Sequence, residues 1–96
     1  MSKTILITGA TGNVSAGVIE HLKNSDHRLI GLVRNPDKAR HLADVGVELR
    51  QGDMEKPWTL ASAFQGVDAV WLLTPPGPRA PEQSSNAVWA ARNAGV

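Results

Sequence analysis

The feature that most constrains this chain is a glycine-containing turn placed between an apolar strand and a helical pattern. Residues 5–7 read Ile-Leu-Ile, residues 9–12 read Gly-Ala-Thr-Gly, and apolar residues then recur at helical spacing at Val14, Val18 and Leu22. Glycine lets a backbone turn sharply and approach a ligand without a Cβ in the way. The helix N-terminus that follows offers unpaired N–H groups and a partial positive charge. This order of elements predicts a site for the pyrophosphate of a dinucleotide, and the alternative is an ordinary tight turn between a strand and a helix.

Short apolar runs and helical patterns alternate along the rest of the chain. The predicted strands are residues 4–8, 28–33, 47–50 and 68–74, and the predicted helices are residues 12–24, 36–46, 57–66 and from 81 onward. Alternating strands and helices with short links imply an α/β fold, a parallel sheet covered by helices on both faces. In the doubly wound arrangement the strands lie in the order 3-2-1-4, and the ligand crevice opens between strands one and four at their carboxyl ends.

Spacing within each predicted helix indicates which residues face the sheet. The residues expected to face inward are Ala39, Leu42 and Ala43 in the second helix, Leu60, Ala63 and Phe64 in the third, and Ala87, Val88, Ala91 and Ala94 in the fourth. Trp58, Trp71 and Trp89 are predicted to be core or interface residues, since they lack the spacing and the basic surroundings of base-stacking residues. Residues 47–50 alternate apolar and charged side chains, which favours a third strand near an edge of the sheet.

Composition excludes several classes of function. The chain has 96 residues with 42% hydrophobic content, which allows one small packed domain and argues against disorder. A net charge of +1 gives no electrostatic basis for binding nucleic acid or an anionic membrane. The absence of cysteine excludes disulfides and thiolate sites, and the histidines lack partners at ligand spacing, so no metal site is predicted. The first apolar run is too short for a signal peptide or a membrane span, which favours a cytoplasmic protein.

The end of the second strand indicates which dinucleotide is bound. Folds specific for NAD usually place an acidic residue there, about twenty residues past the glycines, to bind the ribose hydroxyls. This chain has no carboxylate at that point and has Arg34 instead. A guanidinium matches a 2′-phosphate in geometry and charge, so Arg34 predicts NADP in preference to NAD. The alternative for Arg34 is a solvated surface arginine. Lys38, one helical turn further on, is a second candidate for contact with the phosphate, and the alternative for it is also a solvated side chain.

Several segments of the chain resemble one known family. Residues 8–14, 32–36, 52–53, 66–70 and 74–77 resemble the NmrA-like group of atypical short-chain dehydrogenase/reductases, and residues 79–81 and 90–96 are similar to its quinone-reductase-like members. The resemblance implies a Rossmann-type NAD(P)-binding fold of which residues 1–96 are the N-terminal part, cut before strand five and lacking the substrate-binding part. It implies a parent NAD(P)H-dependent oxidoreductase that transfers hydride to a small acceptor. The alternatives are a non-catalytic NADP-sensing regulator and an inactive, self-associating fragment.

The resemblance and the motif together name the cofactor-binding residues. The predicted set is Gly9, Thr11, Gly12, Asn13 and Val14 at the phosphates, Arg34 at the 2′-phosphate, Asp53 at the adenine amino group, and Thr74 near the ribose. For Asp53, a helix cap or an Asx-turn is as consistent with the sequence as a contact with adenine. For the proline-rich loop at Thr74, the alternative to a cofactor contact is a plain turn. Ser15 stands where the family usually has a third glycine. No catalytic residue can be named, since the chain has no tyrosine for the Tyr-x-x-x-Lys dyad of typical members.

The sequence also predicts self-association. If the chain ends before a fifth strand, the fourth strand has an open apolar edge, which is a template for pairing with another chain. Val88 and Trp89 of the last helix then lose part of their packing surface. We therefore expect a homo-oligomer formed through the edge of strand four or the last helix, with weak dinucleotide binding.

Overall fold

A computed structural model describes residues 3–9, 13–22, 25–73 and 77–96 as a parallel sheet with helices on both faces. The four strands are β1 (Thr4–Ile7), β2 (Arg28–Val33), β3 (Glu48–Gln51) and β4 (Ala69–Trp71). They lie in the order β3-β2-β1-β4, and every neighbouring pair is parallel. The predicted strand order is therefore confirmed. Strand β4 is shorter than predicted, because its pairing with β1 ends at Trp71.

The helices begin close to where the sequence signals placed them. They are α1 (Asn13–Leu22), α2 (Arg40–Asp44), α3 (Leu60–Ala63) and α4 (Ala80–Asn93). A single 3₁₀ turn precedes α2 at Pro36–Ala39 and another precedes α3 at Pro57–Thr59. The Asn35 side chain caps the first of these turns by accepting a hydrogen bond from the Asp37 N–H at 3.1 Å. Proline at the first helical position and an asparagine cap thus start a helix here, as the sequence predicts.

The core consists of two layers, one on each face of the sheet. On one face, residues from β1 and β2 pack with α3 and α4 around Phe64; on the other, alternate residues of the same strands pack with α1 and α2. The fully or nearly buried strand residues are Leu6, Ile30 and Leu32 in the first layer and Ile7, Leu29 and Val33 in the second. This alternation is what the period of two along a strand dictates when both faces are covered.

Two of the inward-facing predictions are wrong. Ala43 is exposed, because the 3₁₀ turn buries Ala39 and the short helix α2 buries only Leu42 against the sheet. Val88 is 57% exposed, and Ala90 is buried in its place. Helix α4 faces the sheet with residues 87, 90, 91 and 94, the spacing of one helical face, which leaves position 88 on the outside.

The tryptophans are not core residues either. Trp58, Trp71 and Trp89 are exposed by 76%, 39% and 58%. The other prediction made for them, a role in an interface, stays a prediction. Within the described segments, no helix combines the length and the apolarity needed to cross a bilayer.

Candidate cofactor site

The carboxyl ends of three neighbouring strands meet at one groove. Gly9 follows β1, Arg34 follows β2 and Asp53 follows β3, and all three line a groove of about 460 Å³. The other lining residues are Leu32, Val33, Asn35, Lys38, Gly52, Met54 and Gln83. Parallel strands end at the same edge of a sheet, and ligands of open α/β sheets bind outside that edge. The sequence predicts Gly9 from the glycine turn, Arg34 from its charge and Asp53 from the family resemblance. The fold brings these three residues to one surface.

Gly9 needs to be glycine for two reasons. Its φ is 59°, a left-handed conformation that side chains with a Cβ rarely adopt. A Cβ built on Gly9 would also lie 3.2 Å from the carbonyl oxygen of Leu73, which is tighter than ordinary contact. The turn after β1 therefore runs close against the chain leaving β4.

Thr8 joins the ends of β1 and β4, a role that the sequence analysis missed. Its hydroxyl accepts the Leu73 N–H at 2.7 Å and lies 3.1 and 3.0 Å from the carbonyl oxygens of Trp71 and Leu73. The residue is fully buried. The sequence signal for this role is a hydroxyl side chain that stands directly after an apolar strand and before the glycine turn. This bond network holds the two strands together where the turn departs.

Ser15, which replaces the third glycine of the motif, is packed between α1 and the end of β1. It is fully buried, and its hydroxyl donates a hydrogen bond to the Thr8 carbonyl oxygen at 3.1 Å. The third glycine of such motifs serves close packing of helix and strand. Here a serine stands at the same contact and adds a bond between the helix and the end of β1.

Arg34 and Lys38 give the groove a positively charged rim. Arg34 is exposed, and among the described residues it has no carboxylate at salt-bridge distance. Asp37, the acidic residue nearest in sequence, pairs instead with Arg40 at 3.1 Å. Among the described residues, neither Arg34 nor Lys38 has a carboxylate at salt-bridge distance, so both cations remain available to an anionic ligand.

Asp53 forms an Asx-turn, one of the alternatives to a contact with adenine that the sequence leaves open. Its Oδ1 accepts the Glu55 N–H at 2.9 Å, and its own N–H donates to the Thr59 hydroxyl at 2.9 Å. Asp53 nevertheless lines the groove. An ionised carboxylate has two acceptor oxygens, so the turn and a ligand contact are compatible.

Gly52 lines the groove at a position where the neighbouring side chains leave no room for a Cβ. It is buried, and a Cβ added there would lie 2.7 Å from Cδ1 of Leu32 and 3.4 Å from Cδ2 of Leu60. Its N–H donates to the Val33 carbonyl oxygen at 2.9 Å, which ties the end of β3 to the end of β2. Gly52, like Gly9, is therefore a position at the groove where an added Cβ would force neighbouring atoms to move.

Helix α4 forms the remaining wall, and the sequence analysis did not assign it to the site. The Asn86 amide donates to the Met54 carbonyl oxygen at 2.7 Å, and Arg79 Nε donates to Glu55 at 2.9 Å. The hydrogen bond with Glu55 and the charge of Glu82 raise the pKa of the Arg79 guanidinium. The loop after β3 is thereby fastened to α4.

The remaining predicted residues are described only in part. Thr11, Gly12 and Thr74 lie outside the described residues. Asn13 and Val14 form the first turn of α1, so the helix begins directly after the predicted phosphate turn. The described groove extends from Gly9 toward the ends of β2 and β3, and none of its lining residues comes from β4. The crevice between strands one and four therefore stays a prediction.

Comparison with known proteins gives the family to which this chain belongs. The sequence model of the NmrA-like family matches residues 1–96. The chain belongs to the NmrA-like family. It is 43% identical over 96 residues to quinone oxidoreductase 2 of Escherichia coli (strain K12), covering 96% of this chain and 33% of that protein. It is 37% identical over 92 residues to the NAD(P)H azoreductase of Xenophilus azovorans, covering 96% of this chain and 32% of that protein.

Solved structures of similar reductases have the same Rossmann-type fold. Triphenylmethane reductase of Citrobacter sp., complexed with NADP(H), superposes with a TM-score of 0.86 at 41% identity, over 97% of this chain and 34% of that one. The NADPH-dependent quinone oxidoreductase QOR2 of Escherichia coli, complexed with NADPH, superposes with a TM-score of 0.85 at 39% identity, over 96% of this chain and 34% of that one. The chain therefore spans about a third of the length of these relatives.

Proposed function

We propose that this chain is the N-terminal, NADP(H)-binding part of an NADPH-dependent oxidoreductase. The observation that carries the proposal is the groove at the ends of β1, β2 and β3, with Arg34 and Lys38 on its rim and no carboxylate at the end of β2. NAD-specific sites use an acidic residue at that point, whereas an arginine accommodates a 2′-phosphate. The relatives whose solved structures contain NADP(H) or NADPH support the same cofactor.

Each part of the dinucleotide has a matching part of the chain. The pyrophosphate lies at the turn of residues 9–12 and the N-terminus of α1, where Thr11, Gly12, Asn13 and Val14 follow Gly9. The 2′-phosphate is bound by the Arg34 guanidinium, assisted by Lys38, and the adenine amino group by Asp53. Thr74 is assigned to the ribose on the resemblance alone. Gly9 and Gly52 fit this arrangement, because an added Cβ would strain the turn at Gly9 and would clash with the Leu32 side chain beside the groove at Gly52.

The reaction we propose for the parent protein is hydride transfer from NADPH to a small acceptor of the quinone type. The bound nicotinamide supplies the hydride, and the chain's own residues bind and orient the adenosine and pyrophosphate end of the cofactor. The relatives are named as quinone, azo and triphenylmethane reductases. We assign the acceptor site of the parent protein to residues outside this chain, which spans about a third of the length of these relatives.

We also propose that the chain self-associates through β4 and α4. Among the described strands, β4 pairs only with β1, so its other edge is open. Beside it lies a groove of about 370 Å³ lined by Val70, Leu72, Ala87, Val88, Ala91, Arg92 and Val96. Contiguous exposed apolar surface of this kind marks interaction sites. A cytoplasmic location stays a prediction from the sequence.

The proposed cofactor site is tested by mapping the binding of NADPH onto the chain by nuclear magnetic resonance. We expect the largest shifts of amide signals at Gly9, Arg34, Asp53 and Gln83, and none at Val88 or Val96 on the other groove. An absence of binding at millimolar NADPH, or shifts confined to the β4–α4 groove, would contradict the proposal.

A further inference from the structure

One face of α4 is turned toward the loop that follows β3. Arg79, Gln83 and Asn86 are spaced four and three residues apart, which places them on the same side of a helix. The first and last of them are hydrogen-bonded to that loop, Arg79 to Glu55 at 2.9 Å and Asn86 to the Met54 carbonyl oxygen at 2.7 Å. The position of the helix beside the groove is therefore fixed on both sides of Gln83.

Gln83 is the member of this face whose bonding is incomplete. It is half-buried and lines the groove together with Asp53, yet within the described part of the chain its Oε1 is buried without a hydrogen-bond partner. A buried carbonyl oxygen without a donor costs free energy, and buried polar groups in native proteins nearly always find a partner. The terminal torsion of glutamine is broad, so the amide can turn toward the groove while α4 stays in place. A donor on a bound ligand would complete its bonding.

We infer that Gln83 recognises the base of the dinucleotide as adenine, an inference that rests on the proposed function. Its Oε1 accepts a hydrogen bond from the 6-amino group, and its Nε2 donates to the ring nitrogen N7, the bidentate pairing by which glutamine distinguishes adenine. Asp53, which has only acceptor oxygens when ionised, accepts the second hydrogen of the same amino group. The two residues line the groove from α4 and from the loop after β3, and with the Gln83 amide turned toward the groove they together specify a 6-amino purine.

A 6-oxo purine is rejected by this arrangement. Hypoxanthine presents two acceptors, O6 and N7, where adenine presents a donor and an acceptor. The Gln83 amide has one acceptor oxygen and one donor nitrogen, so it cannot satisfy two acceptors in the bidentate geometry, and the Asp53 carboxylate then faces an oxygen. The wild-type chain should therefore bind NADPH more tightly than its deamino analogue, which carries hypoxanthine in place of adenine.

The test compares both dinucleotides on three proteins by calorimetric titration. Gln83→Met keeps the length of the side chain and removes both hydrogen-bonding groups. We expect it to weaken NADPH binding at least about fivefold, the lower limit for a bidentate base contact, and to leave binding of deamino-NADPH unchanged. Gln65→Met, which replaces an exposed glutamine outside the groove, should leave both affinities as in the wild type. Circular dichroism of each variant reports whether the fold is retained.

The possible failures are distinguishable. If the wild-type chain binds neither dinucleotide, the proposed function and the role of Gln83 are both overturned. If the wild type binds NADPH and Gln83→Met binds it equally well, the role of Gln83 alone is overturned. A folded Gln83→Met variant that loses both dinucleotides in parallel also overturns it, because the residue then supports the groove without recognising the base.

Discussion

Replacing Gly9 and Gly17 by alanine, one at a time, should change the stability of the chain in opposite directions. The two substitutions add the same methyl group, one at the first residue of the predicted phosphate turn and one in the helix that follows it. Gly9 has a φ of 59° and lies against the end of β4, whereas Gly17 lies within α1 with nothing within 4 Å of an added Cβ. Each variant is therefore the matched control of the other.

The magnitudes follow from these two environments. Holding alanine in the left-handed conformation costs about 1–2 kcal/mol, and the 3.2 Å approach of the Cβ to the Leu73 carbonyl oxygen adds to that cost. Alanine in place of glycine inside a helix stabilises by roughly 0.5–1 kcal/mol. The free energies of unfolding of the two variants should thus differ by roughly 1.5–3 kcal/mol.

Urea denaturation followed by circular dichroism measures this difference directly, with all three proteins at one concentration. Gly9→Ala should unfold at lower urea than the wild type and Gly17→Ala at higher urea. NADPH affinity provides a second readout, since only the Gly9 substitution lies on the groove. A Gly9→Ala variant as stable as the wild type, or shifts of both variants in the same direction, would refute the reasoning about the turn.

Three further predictions concern other parts of the molecule. Ser15→Ala should lower the free energy of unfolding by about 1 kcal/mol in urea denaturation, because it removes a buried hydrogen bond; an unchanged midpoint would contradict this. The hydrogen bond from Arg28 lowers the pKa of the Glu48 carboxyl, so its stabilisation is present at neutral pH and is lost as the pH falls through the lowered pKa. Glu48→Gln should therefore destabilise by less than about 1 kcal/mol at neutral pH and match the wild type in acid, and a difference that grows in acid would count against this. Light scattering at micromolar concentration should show an oligomer that Val88→Lys with Trp89→Lys dissociates and Trp58→Lys does not; a monomeric wild type would exclude the proposed interface.

Much of the fold could be predicted from the sequence because its local signals agree with one another. Proline at residues 36 and 57 starts the 3₁₀ turns that lead into α2 and α3, and the strand order follows from four alternating strands and helices. The errors lie where the direction of a side chain depends on how an element is rotated. Val88 and Ala90 differ by two positions on α4, and only the packing of that helix on the sheet decides which one is buried.

The candidate site was predictable in the segments that follow strands and not in the wall supplied by a distant helix. Gly9, Arg34 and Asp53 each come directly after a strand or close to its end, so the parallel sheet places them at one edge. Gln83 comes from α4, thirty positions beyond Asp53, and its place on the groove depends on hydrogen bonds between α4 and the loop after β3. A tertiary contact of that kind has no local sequence signal beyond the spacing of polar residues on one helical face.

The relative affinity for NADPH and NADH tests the central claim most directly, measured on the wild type, Arg34→Asp and Arg40→Asp. The control makes the same change in charge at an exposed arginine that pairs with Asp37 and does not line the groove. We expect the wild type to prefer NADPH, Arg34→Asp to lose about 1.5–3 kcal/mol of NADPH binding while retaining NADH binding, and Arg40→Asp to behave as the wild type. Equal affinities of the wild type for the two dinucleotides, or equal losses in the two variants, would contradict the central claim.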